Sequence, residues 1–307
     1  MTAAGATVAI EADGLGKRYR RGWAVEDCSF RLPAGRVCGL VGANGAGKST
    51  LIRMLAGLAR PTAGRAAVDG RAPDGNDPGF LRSVGYLAQD VPLYPRWTAR
   101  AHLALGAALN PAWDQDLARD RLDLLGIPLD QRVEQLSGGM RAQVALAVAI
   151  GKRPRVLLLD EPVAALDPLA RREFLASLAV LMAGHDLTVL LSSHLLPDLE
   201  RICDHLVVLV EGRAVLADDV DEIIRTHKLV RGPESARRAL ARRHRVVDDD
   251  SAGPVASAVV RLQGPEPDPA CELHDLSLED IVLAYLAGAR AARTVPDLAL
   301  AGAGEGR

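Results

Sequence analysis

The chain has 307 residues, of which 49% are hydrophobic and 3% aromatic, with a formal net charge of −2. This exceeds the usual single-domain size, so one large domain and one smaller one are expected, and the near-neutral charge gives no general pull toward nucleic acid or anionic membrane. Only four of the 37 basic residues are lysines (Lys17, Lys48, Lys152, Lys228), which makes a lysine at a demanding position informative.

Cys28, Cys38, Cys203 and Cys271 are scattered without a CxxC pair, the pattern of reduced cytosolic thiols rather than a disulfide framework. The first residues, MTAAGATVAIEADG, lack the basic region and apolar core of a signal peptide. Apolar runs such as LVVLV fall far short of the ~18–20 residues needed to span a bilayer.

Along the chain, RVCGLVG reads as a buried strand, followed by a glycine loop and a helix starting near Lys48. AAVDGRAP predicts a strand ending in a turn, and SVGYLAQD another strand. From about 98 to 150 the pattern is helical, with turn signals at LNPAWD and GIPLD. RVLLLD is a strand, a helix follows over 168–183, and LTVLLSS is a further strand. A short helix from 195 and the hairpin HLVVLVEGRAVLA close the series. Strands separated by helices imply a mostly parallel sheet covered on both faces, interrupted by the helical block.

After about residue 225 the character changes. Residues 225–245 hold eight basic side chains against one glutamate; within them SARRALARRHR is read as an exposed charged helix rather than a contact for phosphate lipids or nucleic acid, and DDDSAGPV and GPEPDPA break the chain. SLEDIVLAYLAGAR restores a helix, with Ser277 as N-cap and Asp280 at the capping-box position. The closing stretch AGAGEGR is expected to be disordered.

GLVGANGAGKST carries the strongest chemical signal. Gly42, Gly45 and Gly47, followed by Lys48 and Ser49, form a G-x-x-x-x-G-K-[ST] loop between a buried strand and a helix. Glycines let backbone N–H groups curl around phosphate oxygens, Lys48 supplies a point charge, and the Ser49 hydroxyl suits Mg²⁺. In VLLLDEP, Asp160 ends an apolar run as a metal-holding carboxylate would, and Glu161 stands next to it as a candidate general base. His194 and Gln89 each end a predicted strand, and in a parallel sheet the strand C-termini converge on the ligand crevice. The stretch LSGGMRAQVALAVAI places Ser137, Gly138 and Gly139 ahead of a helix N-terminus, a ready anion site.

Taken together these motifs resemble the ATP-binding subunit of an ABC transporter over roughly residues 7–217. GANGAGKST resembles the family's Walker A, YLAQD its Q-loop, LSGGM its signature, VLLLDEP its Walker B, AALD its D-loop and SSH its switch histidine. Met140 stands where many members have glutamine, a subclass mark. The resemblance implies a P-loop α/β core with a helical subdomain at about 98–150; beyond it, the sequence itself is read as a small α+β accessory domain at 225–290 and a disordered tail over 291–307.

It also implies ATP and Mg²⁺ as cofactors. Gly42, Ala43, Asn44, Gly45, Ala46, Gly47, Lys48, Ser49 and Thr50 would bind nucleotide, with Tyr19 stacking on adenine. Ser49, Gln89 and Asp160 would hold the metal, and Glu161, His194 and Gln89 would serve catalysis. Ser137, Gly138 and Gly139 would face the γ-phosphate bound by a second ATPase subunit, and Asp167 would help the two sites communicate. The expected partners are that second subunit and an integral-membrane permease, which places the chain peripherally on the cytoplasmic face of the membrane. No nucleic-acid partner is expected. DVPLYPRWTARAHL, with Tyr94 and Trp97, is the candidate docking surface, and LSLEDIVLAYL resembles the closing helix of ABC-2-type export ATPases, which implies export rather than import. The alternative is a soluble ABC ATPase that drives no transport.

Overall fold

The computed structural model describes residues 7–184, 186–233, 241–250, 257–264 and 271–294. The chain divides into two compact units, Met1–Ala217 and Asp218–Arg307.

The larger unit opens with two long strands, β1 (Val8–Tyr19) and β2 (Gly22–Pro33), paired antiparallel. β3 (Val37–Val41) follows, buried along its whole length, then α1 (Lys48–Leu55), β4 (Ala63–Val68), α2 (Pro78–Ser83) and β5 (Val84–Leu87). A helical block holds α3 (Ala99–Leu109), α4 (Gln115–Leu124) and α5 (Gly138–Ile150). The chain continues with β6 (Val156–Leu159), α6 (Pro168–Gly184), β7 (Thr188–Ser193), α7 (Leu196–Glu200), β8 (His205–Val210) and β9 (Arg213–Asp219).

The main sheet has the order β5-β6-β7-β3-β8-β9, and the β5–β6, β6–β7, β7–β3 and β3–β8 pairs are parallel. The Val156–Leu159 and Val37–Val41 runs are buried at every position, as strands covered on both faces must be. β8 and β9 are joined by Glu211 and Gly212 at φ 49° and 80°, the left-handed pair of a type I′ hairpin. A single mostly parallel sheet was expected, but β4 lies elsewhere: it pairs antiparallel with β1 in a second sheet of order β2-β1-β4. One core spans both sheets, with Ile10, Leu32, Leu40, Leu55, Phe80 and Leu158 among its buried members.

The helical block has its own core of Leu103, Leu122, Ile127, Leu136 and Val144. Each of its helices starts on a side-chain cap. Thr98 accepts from the Ala101 N–H, Asp114 from Leu117 and Ser137 from Met140. Such caps fix where each helix begins, and the third fixes the glycine-bearing start of α5.

The smaller unit contains α8 (Val220–Thr226), β10 (His227–Arg231), β11 (Arg245–Asp250), β12 (Ser257–Arg261), β13 (Glu272–Asp275) and α9 (Leu278–Thr294). Its antiparallel sheet runs β11-β12-β10-β13. Ser277 caps α9, donating to Asp280 at 2.6 Å and accepting the Asp280 N–H at 3.1 Å. Asp248–Asp250, read as a chain break, form part of β11 instead; on an edge strand the charges of Asp248 and Asp249 discourage further pairing. Arg245 likewise opens this strand rather than continuing a charged helix, and residues 234–240 of that segment lie outside the described residues. α9 extends to Thr294, into the predicted tail, and 295–307 lie outside the described residues. Among the described residues no helix is long and apolar enough to cross a membrane.

Candidate functional site

A cleft of about 420 Å³ lies where the loop after β3 meets the C-terminal ends of β6 and β7. Asn44, Gly45, Gly47, Lys48, Ser49, Thr50, Gln89, Glu161 and His194 line it, all of them predicted from sequence. Gly42, Ala43 and Ala46 shape the loop from behind. The Ala46 N–H bonds the Ala43 carbonyl, and the Gly212 N–H bonds that of Ala46. Gly47 sits at φ 103°, and a Cβ there would lie 2.2 Å from the Ala24 carbonyl oxygen, so both conformation and space demand glycine. Ala24 itself lines the cleft and carries no signal in the sequence.

Lys48 is 6% exposed, and its ammonium donates to the Gly42 carbonyl at 2.8 Å and the Ala43 carbonyl at 3.3 Å. It also pairs with Glu161 Oε1 at 3.2 Å. His194 Nδ1 meets the other oxygen, Glu161 Oε2, at 2.7 Å. Glu161 is thus held between two potential cations, one from a helix start and one from the end of β7. Its backbone is left-handed (φ 49°), a conformation that costs a non-glycine residue about 1–3 kcal/mol and that clusters at functional sites. Its N–H is satisfied by the Ser192 hydroxyl at 2.9 Å.

Asp160 lies deeper and is 1% exposed. Its Oδ1 accepts from the Ser49 hydroxyl at 2.9 Å and from Ser192 at 3.2 Å. Burial raises its carboxyl above the ordinary aspartate value, and the two hydroxyl donors pull the other way. Sequence reasoning passed over Ser192. The available signal was a polar pair, Ser192 and Ser193, at the end of an otherwise apolar strand.

Three predicted groups stand apart from the cleft. Tyr19, at the end of β1 and 49% exposed, does not line it; the ring packs against the Lys17 ammonium at 5.5 Å, and the residue pairs with Gly22, two positions before Ala24. Ser137, Gly138 and Gly139 sit at the start of α5, also outside the cleft, with Ser137 exposed and its hydroxyl turned onto the Met140 N–H at 3.2 Å. A Cβ on Gly139 would come within 2.9 Å of the Ala170 Cβ, so glycine lets α5 approach α6. Asp167 caps α6, accepting from the Leu169 and Ala170 N–H groups, both at 3.0 Å.

Residues 25–164 match the protein family described as ABC transporter. The chain is 41% identical over 208 residues, 64% of its length, to the molybdenum import ATP-binding protein ModC of Thiobacillus denitrificans. It is 37% identical over 209 residues, 65% of its length, to the methionine import ATP-binding protein MetN 1 of Yersinia pestis bv. Antiqua. The matches cover 57% and 61% of those two proteins, so the chain spans only part of each. Among solved structures it is similar to an ATP binding subunit of an ABC transporter, with 30% identity and a TM-score of 0.63 over 71% of this chain and 92% of the other. It is also similar to cbiO1 from Clostridium perfringens, described as part of the ABC transporter complex cbiONQ. That match has 27% identity and a TM-score of 0.62 over 76% of this chain and 95% of the other.

Proposed function

The chain belongs to the ABC transporter family, and on that premise we propose that it is the ATP-hydrolysing subunit of a transporter. The observation that carries the proposal is Glu161, buried in a glycine-lined phosphate cradle and held by Lys48 at 3.2 Å and His194 at 2.7 Å.

Water attacks the γ-phosphorus in line, and Glu161 takes the proton it sheds; the bond from that phosphorus to the bridging oxygen breaks, and ADP leaves with the oxygen and the electron pair. Lys48 exchanges its Glu161 contact for phosphate oxygens, which frees the carboxylate for the water. His194 keeps Glu161 oriented from the other side. The hydroxyl of Ser49 and the carboxylate of Asp160 are hard oxygen donors 2.9 Å apart, and a carboxyl pushed up by burial is short of positive charge, so the pair fits Mg²⁺. With Gln89, which lines the same cleft as Ser49, they would hold the ion, which would supply charge neutralisation on the phosphate oxygens.

The cleft uses no residue of the 137–139 stretch. That supports a second ATPase subunit, whose own helix start would face the γ-phosphate held here. The membrane component is a separate permease, with this chain lying peripherally on the membrane. In support, Tyr94 and Trp97, five and eight residues after Gln89, form an exposed aromatic pair with centroids 4.7 Å apart. The expectation of export loses its support here, because ModC and MetN 1 are both named as import proteins. Direction would be set by the permease.

The test is phosphate release by the purified chain with Mg²⁺ and ATP, alongside Glu161→Gln. The variant should bind ATP, accumulate as a closed dimer and pull a polytopic protein from solubilised membranes. A Glu161→Gln chain hydrolysing at the wild-type rate would end the assignment of the base.

A further inference from the structure

Three stretches converge on the first turn of α6. Asp167 caps it, and Leu166 leads into it. The Gly139 end of α5 lies against Ala170, the third residue of the helix. The next residue, Arg171, has a side chain only 21% exposed and reaches in two directions. Its Nη2 donates to the Leu166 carbonyl at 3.4 Å, and its Nε faces Asp198 Oδ2 at 3.6 Å. Asp198 belongs to α7, four residues beyond His194, and its side chain is 15% exposed. His194 in turn holds Glu161.

This is an awkward pair to keep for stability alone. Arg171 Nε and Asp198 Oδ2 are both buried, and among the described residues neither has a hydrogen-bond partner. The separation makes an ion pair but exceeds hydrogen-bond reach. Burial raises the Asp198 carboxyl, with Arg171, His194 and Arg201 opposing. A half-buried, half-made bridge is a poor staple compared with apolar packing of the same volume. It is well placed as an adjustable link, because a small movement of α6 toward α7 completes the bond.

We propose that Arg171 and Asp198 are positioning residues that tie the edge formed by Ser137–Gly139 and Leu166–Asp167 to His194. Seating that edge against a second subunit shifts the first turn of α6. Arg171 then draws on Asp198, α7 moves with it, and His194 is set against Glu161. The link rests on the proposed ATPase function and adds a cis route by which closure reaches the general base.

The experiment uses the full chain and compares Asp198→Asn, which keeps the shape but loses the charge, with Arg171→Lys, which keeps the charge but loses the fork. Both should lower kcat about ten- to hundredfold, as a misplaced catalytic group does, while KM for ATP and the thermal midpoint stay near wild type. The deciding readout is a double-mutant cycle in the His194→Ala background, followed as residual single-turnover rates. There Asp198→Asn should cause no further loss, because the residue it acts through is gone. An equal loss in both backgrounds, an unchanged kcat, or a rise in KM together with a lower thermal midpoint would overturn the link. A wild-type chain that hydrolyses no ATP would instead overturn the parent reading, whatever the variants do.

Discussion

Two glycine-bearing helix starts of the larger unit, those of α1 and α5, are finished differently. At Lys48 the loop folds back on its own protein: the lysine is buried, two carbonyls and Glu161 share its charge, and Glu161 and His194 complete a cleft. At Gly138 the ingredients are similar, a serine and two glycines ahead of a helix, yet Ser137 is exposed and turned onto its own helix N–H. On the proposed function, the first start cradles the phosphate chain within this chain. The second offers helix N–H groups outward and needs an anion that another surface brings.

The largest effects should come from breaking the two starts separately. Lys48→Ala should weaken nucleotide binding itself, whereas Glu161→Gln should leave binding intact and lower phosphate release about 10²–10⁴-fold, the usual share of general base catalysis. Gly139→Val should also leave binding intact, because its Cβ meets Ala170 rather than the cleft, but it should abolish hydrolysis by forcing α5 off α6. Mixing Lys48→Ala with Gly139→Val chains sharpens the contrast. In each mixed dimer one composite site carries both lesions and the other is whole, so activity should return on mixing. Were both variants to lose nucleotide binding equally, the two starts would belong to one site.

Legibility in the sequence follows the same division. The cradle could be read because its parts are local in sequence: a loop between a buried strand and a helix, and acids or a histidine at the end of an apolar run. The antiparallel sheet could not. Register shifts between Ala12 and Leu15, Leu15 and Lys17, and Lys17 and Arg18 break the two-residue alternation of β1 that would have announced it. β11 was hidden by three aspartates that only an edge strand tolerates. Ser192 and the Arg171–Asp198 pair gain meaning from neighbours 27 to 32 residues away, which no local pattern records. Tyr19 shows the converse: its spacing matches the family's aromatic, yet the ring lies outside the cleft.

A smaller effect separates structure from function at two serines doing the same local job. Ser137 and Ser277 each cap a helix through the N–H three residues on. Replacing either with alanine should cost about 1 kcal/mol, read as a lower denaturation midpoint. Ser137→Ala should lower hydrolysis as well, and Ser277→Ala should not. A Ser137→Ala chain with full activity would reduce that serine to a cap.

The smallest effect concerns the charge the cradle keeps waiting. Burial raises the Asp160 carboxyl above its ordinary value of 3.8. A carboxyl whose folded pKa lies above its unfolded one favours the fold while protonated. That contribution is fully present below the unfolded pKa and is lost as pH rises through the folded one. At neutral pH without nucleotide, Asp160 should therefore weigh against the fold. Asp160→Asn should raise the thermal midpoint there, by about 2–4 °C for each kcal/mol relieved in a unit of this size. The gap from wild type should narrow as pH falls toward the ordinary aspartate value. With Mg²⁺ and ATP the order should reverse, because the carboxylate then meets the cation it is placed to hold and the amide does not. If Asp160→Asn instead lowers the nucleotide-free midpoint at pH 7, the Ser49 and Ser192 hydrogen bonds outweigh burial, and the cradle is content without an ion.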